Sequence, residues 1–218
     1  MAIDLTPYLE PSATAIVALE VQEHILRPAQ AIIPGVAAHA DAIGLVDRLA
    51  TLLHVARRVG APVVYVVDDR RSDGYGGAGN MRVGRSIRGD STVTDAAVLP
   101  SHGPIVAELR PHDRDILIRR EHGMTGFFTT PLDAYLRNLG VTSVVLTGAS
   151  ANIAVTGTAI EAMNLGYQVI VVSDCIAGDP PEYVEQLLRY TLRNVAFVAP
   201  AQRILDHWSA LPDVPPGG

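Results

Sequence analysis

The chain has 218 residues, 48% hydrophobic and 18% charged, which indicates a globular protein with one sizeable core and excludes general disorder. The 23 acidic residues outnumber the 17 basic ones, giving a net charge of −6 without any basic run, so nucleic acid is not an expected partner. No apolar run approaches the roughly 20 residues that span a bilayer, so a membrane partner is not expected either. The first residues show no basic or apolar leader pattern, and a cytoplasmic location is predicted.

Two residue types are scarce enough to limit the chemistry. All 17 basic residues are arginine, so the chain contains no lysine. Cys175 is its one cysteine, which excludes an intrachain disulfide and a cysteine metal cluster. A mechanism that needs a lysine, or a cysteine elsewhere in the chain, is therefore excluded.

Short apolar runs rich in β-branched residues alternate with amphipathic stretches along the chain. The runs predict strands at 14–19, 62–67, 116–118, 143–147, 168–172 and 195–198. Helical spacing predicts helices at 36–59, 132–138, 152–165 and 181–193. The alternation predicts an α/β fold of three layers (αβα), with a doubly wound, mainly parallel, six-stranded sheet between helices. We expect a single domain over 1–218, with an irregular loop or lid at about 69–113.

Charged residues follow the predicted strands at the edge where open α/β sheets bind ligands. These residues are Glu20, Asp68, Asp69, Arg119, Arg120 and Asp174. A single charge at a strand end often only meets solvent, so the order of the motifs around these residues carries more weight than any one of them.

Five segments carry a resemblance to a known family, and they lie at 15–22, 126–133, 144–155, 162–167 and 172–174. The firmest reads Val-Val-Leu-Thr-Gly148-Ala-Ser-Ala-Asn-Ile-Ala154-Val155. Together they resemble the isochorismatase-like hydrolases, also called cysteine hydrolases, over nearly the whole chain from Ala15 to about Leu205. The resemblance implies a Rossmann-like α/β fold, a small-molecule substrate and a homo-oligomer.

Members of that family usually hold an Asp after strand one, a Lys after strand three and a Cys at the start of the helix after strand four. Here the Asp position holds Glu20, and the Cys position, six residues after Gly148, holds Ala154. The Lys position falls on Arg120 or Glu121, depending on the direction of counting. Acylation of a cysteine at that place is therefore excluded.

The resemblance then implies chemistry at Glu20. A carboxyl at the end of a buried strand is desolvated, which raises its pKa and keeps an acid form available for general acid/base work. Some members hydrolyse vinyl ethers of the isochorismate type with the acidic residue and no cysteine. Arg119 or Arg120 would orient a small, polar, anionic substrate through a bidentate contact.

The resemblance also implies a cis bond between Ala149 and Ser150, so that the amides of Ser150 and Ala154 form an anion-binding hole or, more simply, cap the helix. Further candidates for substrate binding are Glu121, His122, Phe127, Ser150 and Asn152. Two other functions stay open: a binding protein or pseudoenzyme on the same fold, and a thiol amidase that uses Cys175.

Two further patterns point away from cofactors. Residues 74–79 match G-x-G-x-x-G, but no helical pattern follows them, so we interpret them as a loop and expect no cofactor. Zinc-binding members of the family carry a D-x-H pattern after strand two, whereas this chain has Asp68-Asp69-Arg70. A metal is therefore not expected.

Overall fold

A computed structural model describes residues 4–71, 75 and 103–215. The described residues form one six-stranded sheet, parallel throughout, in the order β3-β2-β1-β4-β5-β6. This topology confirms the doubly wound α/β prediction. The strands are β1 (Thr14–Leu19), β2 (Val63–Asp68), β3 (Ile116–Arg120), β4 (Ser143–Ala149), β5 (Gln168–Ala177) and β6 (Phe197–Ala199).

Helices cover both faces of this sheet. The α-helices are α1 (Glu23–Leu26), α2 (Pro34–Ala42), α3 (Leu45–Arg58), α4 (Leu132–Asn138), α5 (Thr156–Asn164), α6 (Pro181–Gln186) and α7 (Ala201–Ser209). Two π-helical turns, Ala151–Val155 and Leu187–Thr191, lead into α5 and follow α6. Within the described ranges, no helix has the length and hydropathy to cross a bilayer. The G-x-G-x-x-G segment and most of the expected lid at 69–113 lie outside the described residues.

Several predicted boundaries were wrong. The helix predicted at 36–59 is two helices, because Gly44 adopts a left-handed conformation (φ 60°) that interrupts the helical hydrogen bonds. The predicted helix at 152–165 begins as a π-helical turn, and the one at 181–193 ends as π and 3₁₀ turns. Strand β5 continues to Ala177 past a register shift in its pairing with β4. Helix α7 was missed, although Ala201, Ile204 and Trp208 are buried at helical spacing.

The sheet separates two hydrophobic cores. One lies against α2, α3 and α7 and includes Leu49, Leu53 and Trp208. The other lies against α4, α5 and α6 and includes Leu136 and Ala159. Every residue of β1, β2 and β4 is buried. Burial on both faces explains why these strands are continuous apolar runs with no polar alternation.

The centre of the sheet fixes where a ligand can bind. Strands β1 and β4 are adjacent, and the chain winds outward from them in opposite directions, so the crevice at their carboxyl ends is the topological switch point. Gly148 of β4 approaches the backbone of Leu19 so closely that a Cβ atom there would collide with the Leu19 carbonyl oxygen. Gly148 also has a φ of +102°, which disfavours any side chain. The two central strands can meet at the crevice only with glycine here.

We expect the Gly148→Ala change to lower the free energy of unfolding by at least about 3 kcal/mol, because strain from the positive φ adds to overpacking. Gly166→Ala is the matched control, since Gly166 has a φ of +92° but nothing lies within 4 Å of its would-be Cβ. That change should cost only about 1–2 kcal/mol. Urea unfolding of both variants measures the difference, and equal costs would show that the close approach does not constrain the strands.

Candidate active site

Three charged side chains converge at the carboxyl ends of β1, β2 and β3. Glu20 follows β1, Asp68 ends β2, and Arg120 ends β3 directly opposite Asp68 in the parallel register. Arg120 Nη2 donates to Glu20 Oε1 at 2.5 Å and lies 3.4 Å from Asp68 Oδ1. Arg70 adds a second cation, with its Nε 3.0 Å from the same Asp68 oxygen. Two carboxyl groups therefore share one buried guanidinium.

Glu20 has an unusual backbone. Its φ is 51°, in the left-handed region, while its N–H donates to the Val66 carbonyl at 2.8 Å. This conformation costs a non-glycine residue roughly 1 kcal/mol and is found preferentially at functional sites. The Glu20 side chain keeps 13% of its surface exposed, whereas that of Arg120 keeps 1%. Glu20 is thus the member of the pair that solvent or a ligand reaches first.

The structure distinguishes Arg119, Arg120 and Glu121, the candidates for the position that the family usually gives to a lysine. Arg119 and Arg120 point to opposite faces of β3, because successive side chains alternate along a strand. The Arg119 side chain is 63% exposed and donates to Asp69 Oδ2 at 2.8 Å. Glu121 and His122 are exposed beyond the strand end. Among these four residues, Arg120 is the one that contacts Glu20.

Two residues of the candidate site, Asp68 and Gln22, were not predicted from the sequence. Asp68 was recognised only as a strand-end charge, and Gln22 was not considered. The Gln22 side chain accepts from the Asp68 N–H at 2.8 Å and donates to the carbonyls of Asp68 (3.1 Å) and Gly103 (2.8 Å). It therefore fixes the end of β2 relative to the turn that carries Glu20. A buried glutamine two residues after a candidate acid was the available signal.

The pKa values of Glu20 and Arg120 are shifted in this cluster. Burial raises the pKa of Glu20 above its usual value, with the nearby Asp68 carboxylate adding to the rise, although Arg120 opposes both. For Arg120, burial acts to lower the pKa, but the attraction of Glu20 and then of Asp68 outweighs it and leaves the pKa raised. Arg120 therefore stays charged, while Glu20 holds a proton at higher pH than an ordinary glutamate.

The turn after β4 lies next to the turn that carries Glu20, because Leu19 of β1 pairs with Gly148 of β4. The Ala149–Ser150 peptide bond is cis, as the resemblance implied. The Ser150 carbonyl accepts from the amides of Ile153 (3.4 Å) and Val155 (3.0 Å), whereas the Ala154 amide between them is not bonded to it. The Ala154 side chain is buried, and its carbonyl accepts from Thr158 Oγ1 at 2.6 Å. The turn thus presents backbone amides and a methyl group.

Two predicted binding residues are occupied elsewhere. The Phe127 ring is buried in a core cluster and stacks on Tyr167, with ring centroids 5.8 Å apart. The Asn152 carboxamide donates to the Asp179 carbonyl (2.6 Å) and accepts from its amide (3.0 Å). Both side chains therefore hold loops in place, and their contact with a substrate stays a prediction.

Cys175 lies in β5, next to Ile176, which pairs with Gly148 near the end of β4. Its side chain is fully buried in the core on the α2, α3 and α7 face. Burial, with a smaller contribution from Asp174, raises the pKa of the thiol to about 12. Among the residues that the structure describes, no group of three or more His, Cys, Asp or Glu side chains could hold a metal ion.

Small molecules bind to open α/β sheets at the carboxyl edge near the topological switch point, and the acid–arginine cluster lies at this edge. Residues 14–203 match the isochorismatase domain, and the chain belongs to that family.

The curated relatives of the chain include an amidohydrolase. The chain is 30% identical over 111 residues to the ureidoacrylate amidohydrolase RutB of Stutzerimonas stutzeri, a match that covers 50% of this chain and 44% of the relative. This chain spans only 38–47% of the length of the first three curated relatives.

Solved structures match over more of the chain. An isochorismatase family protein from Burkholderia thailandensis is 24% identical with a TM-score of 0.73, covering 91% of this chain and 96% of that one. The N-carbamoylsarcosine amidase of Thermoplasma acidophilum is 26% identical with a TM-score of 0.64, covering 86% and 96%. These matches confirm the predicted fold, and the domain match over residues 14–203 confirms the predicted family.

We expect Cys175 to react slowly with iodoacetamide in the native protein, because burial leaves little thiolate at neutral pH. Labelling should become rapid in urea. A Cys175→Ser/Ser209→Cys variant supplies an exposed thiol as the reference, since Ser209 is exposed at the end of α7. Mass spectrometry of timed samples measures both rates. Native labelling of Cys175 as fast as that of the reference would contradict its burial.

Proposed function

We propose that the protein is a hydrolase of small, polar, anionic molecules that works by acid/base chemistry at Glu20 and uses no cysteine nucleophile. The observation that carries the proposal is the position of Glu20. It follows β1 beside the switch point of the sheet, and it is the solvent-reaching member of the buried Glu20–Arg120–Asp68 cluster.

Glu20 is suited to donate a proton first and to accept one later. Its raised pKa favours the protonated acid, which can protonate a substrate, and the resulting carboxylate can then take a proton from the attacking water. For a vinyl ether, the proton adds to carbon, water attacks the resulting cation, and the adduct releases an alcohol. For an amide, the leaving nitrogen receives the proton. Neither sequence forms a covalent bond to the protein.

The turn after β4 supplies the second part of the mechanism. The amides of Ser150 and Ala154 lie at the start of a helical segment, where unpaired N–H groups favour developing negative charge. In this proposal the two amides polarise the substrate oxygen, and Arg120 is the cation that orients the substrate.

The names of two relatives support an anionic substrate. One is named for ureidoacrylate and the other for N-carbamoylsarcosine. The first name is that of a carboxylate. Amides and ureido compounds that carry a carboxylate are therefore the first panel to screen, followed by lactams and vinyl ethers.

A binding protein without turnover is the second candidate function. The observation that favours it is the buried Ala154 methyl group at the position that the resemblance gives to the cysteine. A thermal-shift screen followed by product analysis separates the two functions, since only a hydrolase consumes a ligand that stabilises it.

On a substrate from this panel, Glu20→Gln should lower kcat by ~10²-fold or more, because the amide cannot exchange the proton. Wild-type kcat/KM should fall as pH rises through the raised pKa of Glu20, since the acid form is lost there. Glu10→Gln is the control, because Glu10 is exposed and its carboxylate accepts from the hydroxyl of Ser12. Unchanged turnover in Glu20→Gln would refute acid/base catalysis at this residue.

Ala154→Cys alone should not create efficient amidase activity. A thiolate needs a well-placed base and cation, and this chain presents a longer acid, Glu20, and an arginine that cannot take up a proton. Steady-state assays of Ala154→Cys and of Ala154→Ser as its control measure the effect. An amidase rate that rises ~10²-fold in the cysteine variant alone would show that the cluster already serves a thiol mechanism.

A further inference from the structure

Arg120 is buried with part of its hydrogen-bonding capacity unused. Its side chain is 1% exposed, and Nη2 makes its two ion-pair contacts, to Glu20 and to Asp68. Among the residues that the structure describes, Nε and Nη1 have no hydrogen-bond partner. Buried polar groups are nearly always satisfied, and exceptions commonly mark a place that a ligand or water fills.

The charge of the surrounding cluster identifies what fits there. Glu20 and Asp68 oppose Arg120 and Arg70, so the four side chains sum to zero when both acids are ionised. Protonation of Glu20 changes this sum to +1. A ligand with a single negative charge then restores neutrality, whereas a dianion leaves a net negative charge in the cluster.

We propose that Arg120 binds a carboxylate of the substrate, which replaces Glu20 at Nη2 and adds a second hydrogen bond at Nη1, while Glu20 takes up one proton from solvent. The terminal nitrogens of a guanidinium match the two oxygens of a carboxylate in a bidentate fork. The inference rests on the proposed function, because it gives the substrate class of the same site.

Asp68 makes this exchange feasible. Its carboxylate stays on Arg120 and on Arg70 after Glu20 becomes neutral, so the buried cation keeps a counter-ion throughout. Gln22 holds the Asp68 backbone from both sides. The same exchange leaves Glu20 protonated beside a bound substrate, which is the state that acid catalysis requires.

Benzoate and its neutral isostere benzamide test the proposal without any turnover. We expect benzoate to bind with a Kd that is constant between the pKa of benzoic acid and the pKa of Glu20, where the ligand is an anion and Glu20 is protonated. Above the pKa of Glu20 the Kd should rise tenfold per pH unit, because Glu20 must be protonated for binding. Isothermal titration in buffers of different ionisation enthalpy should show uptake of one proton in that upper range. Benzamide should bind at least tenfold more weakly, with no dependence on pH.

Variants separate the roles of the two side chains. In Glu20→Gln, benzoate should bind with the low-pH Kd at every pH above the pKa of benzoic acid, since the amide imitates the neutral acid. Arg120→Lys should weaken benzoate binding at least tenfold, because an ammonium group cannot make the bidentate contact to a carboxylate. Arg137→Gln is the control and should change neither the Kd of benzoate nor its dependence on pH, because Arg137 is exposed and pairs with Asp133.

Benzamide binding equal to benzoate, or a pH-independent Kd in the wild type, would overturn the proposal. If Arg120→Lys does not fold, the comparison of wild type with Glu20→Gln decides alone. Benzoate contains no bond that hydrolysis would cleave, so these results are independent of turnover. Loss of turnover in Glu20→Gln together with pH-independent benzoate binding would reject the carboxylate exchange and leave the proposed function standing.

Discussion

One buried guanidinium shared by two carboxyl groups constrains the whole carboxyl edge of the sheet. A charge with 1% exposure is strongly destabilising unless it is paired, and leaving it unpaired costs roughly 3–5 kcal/mol. The order β3-β2-β1 brings the ends of three strands side by side, so that Glu20 and Asp68 both reach Arg120. The cluster is therefore part of the fold as well as the candidate site, and its members cannot be replaced one at a time without cost to stability.

Much of this architecture could be predicted from the sequence because burial on both faces leaves a simple signal. The central strands are unbroken apolar runs, and β1 was predicted with its observed bounds, Thr14–Leu19. The break between α2 and α3 at Gly44 was not predicted, because the apolar spacing continues across Gly44 and only the backbone conformation changes there. Helix termini were the least predictable parts, since π and 3₁₀ turns depend on packing against neighbours and not on local pattern.

The candidate site was predictable in outline for a similar reason. Strand ends gather at one edge in a parallel sheet, which brought Glu20 and the arginines into consideration together. The choice between Arg119 and Arg120 needed the register of β3, because neighbouring residues on a strand face opposite ways. The role of Asp68 could not be predicted, because no sequence pattern shows which side chain at the end of β2 turns toward β1. Gln22 was missed because its side-chain partners are backbone atoms 46 and 81 residues away.

The chemistry of arginine links these observations. Unlike lysine, arginine stays protonated in proteins, so Arg120 can attract and orient but cannot exchange a proton. Proton transfer in the described cluster then falls to a carboxyl group, and Glu20 is the one whose pKa is raised by burial. A folded-state pKa above the unfolded value means that the folded protein binds this proton more tightly. The stabilising contribution is therefore complete below the unfolded pKa and is lost as pH rises through the folded one. The protonated state of Glu20 that favours folding is also the state that the proposed acid catalysis requires, so both would depend on the same proton.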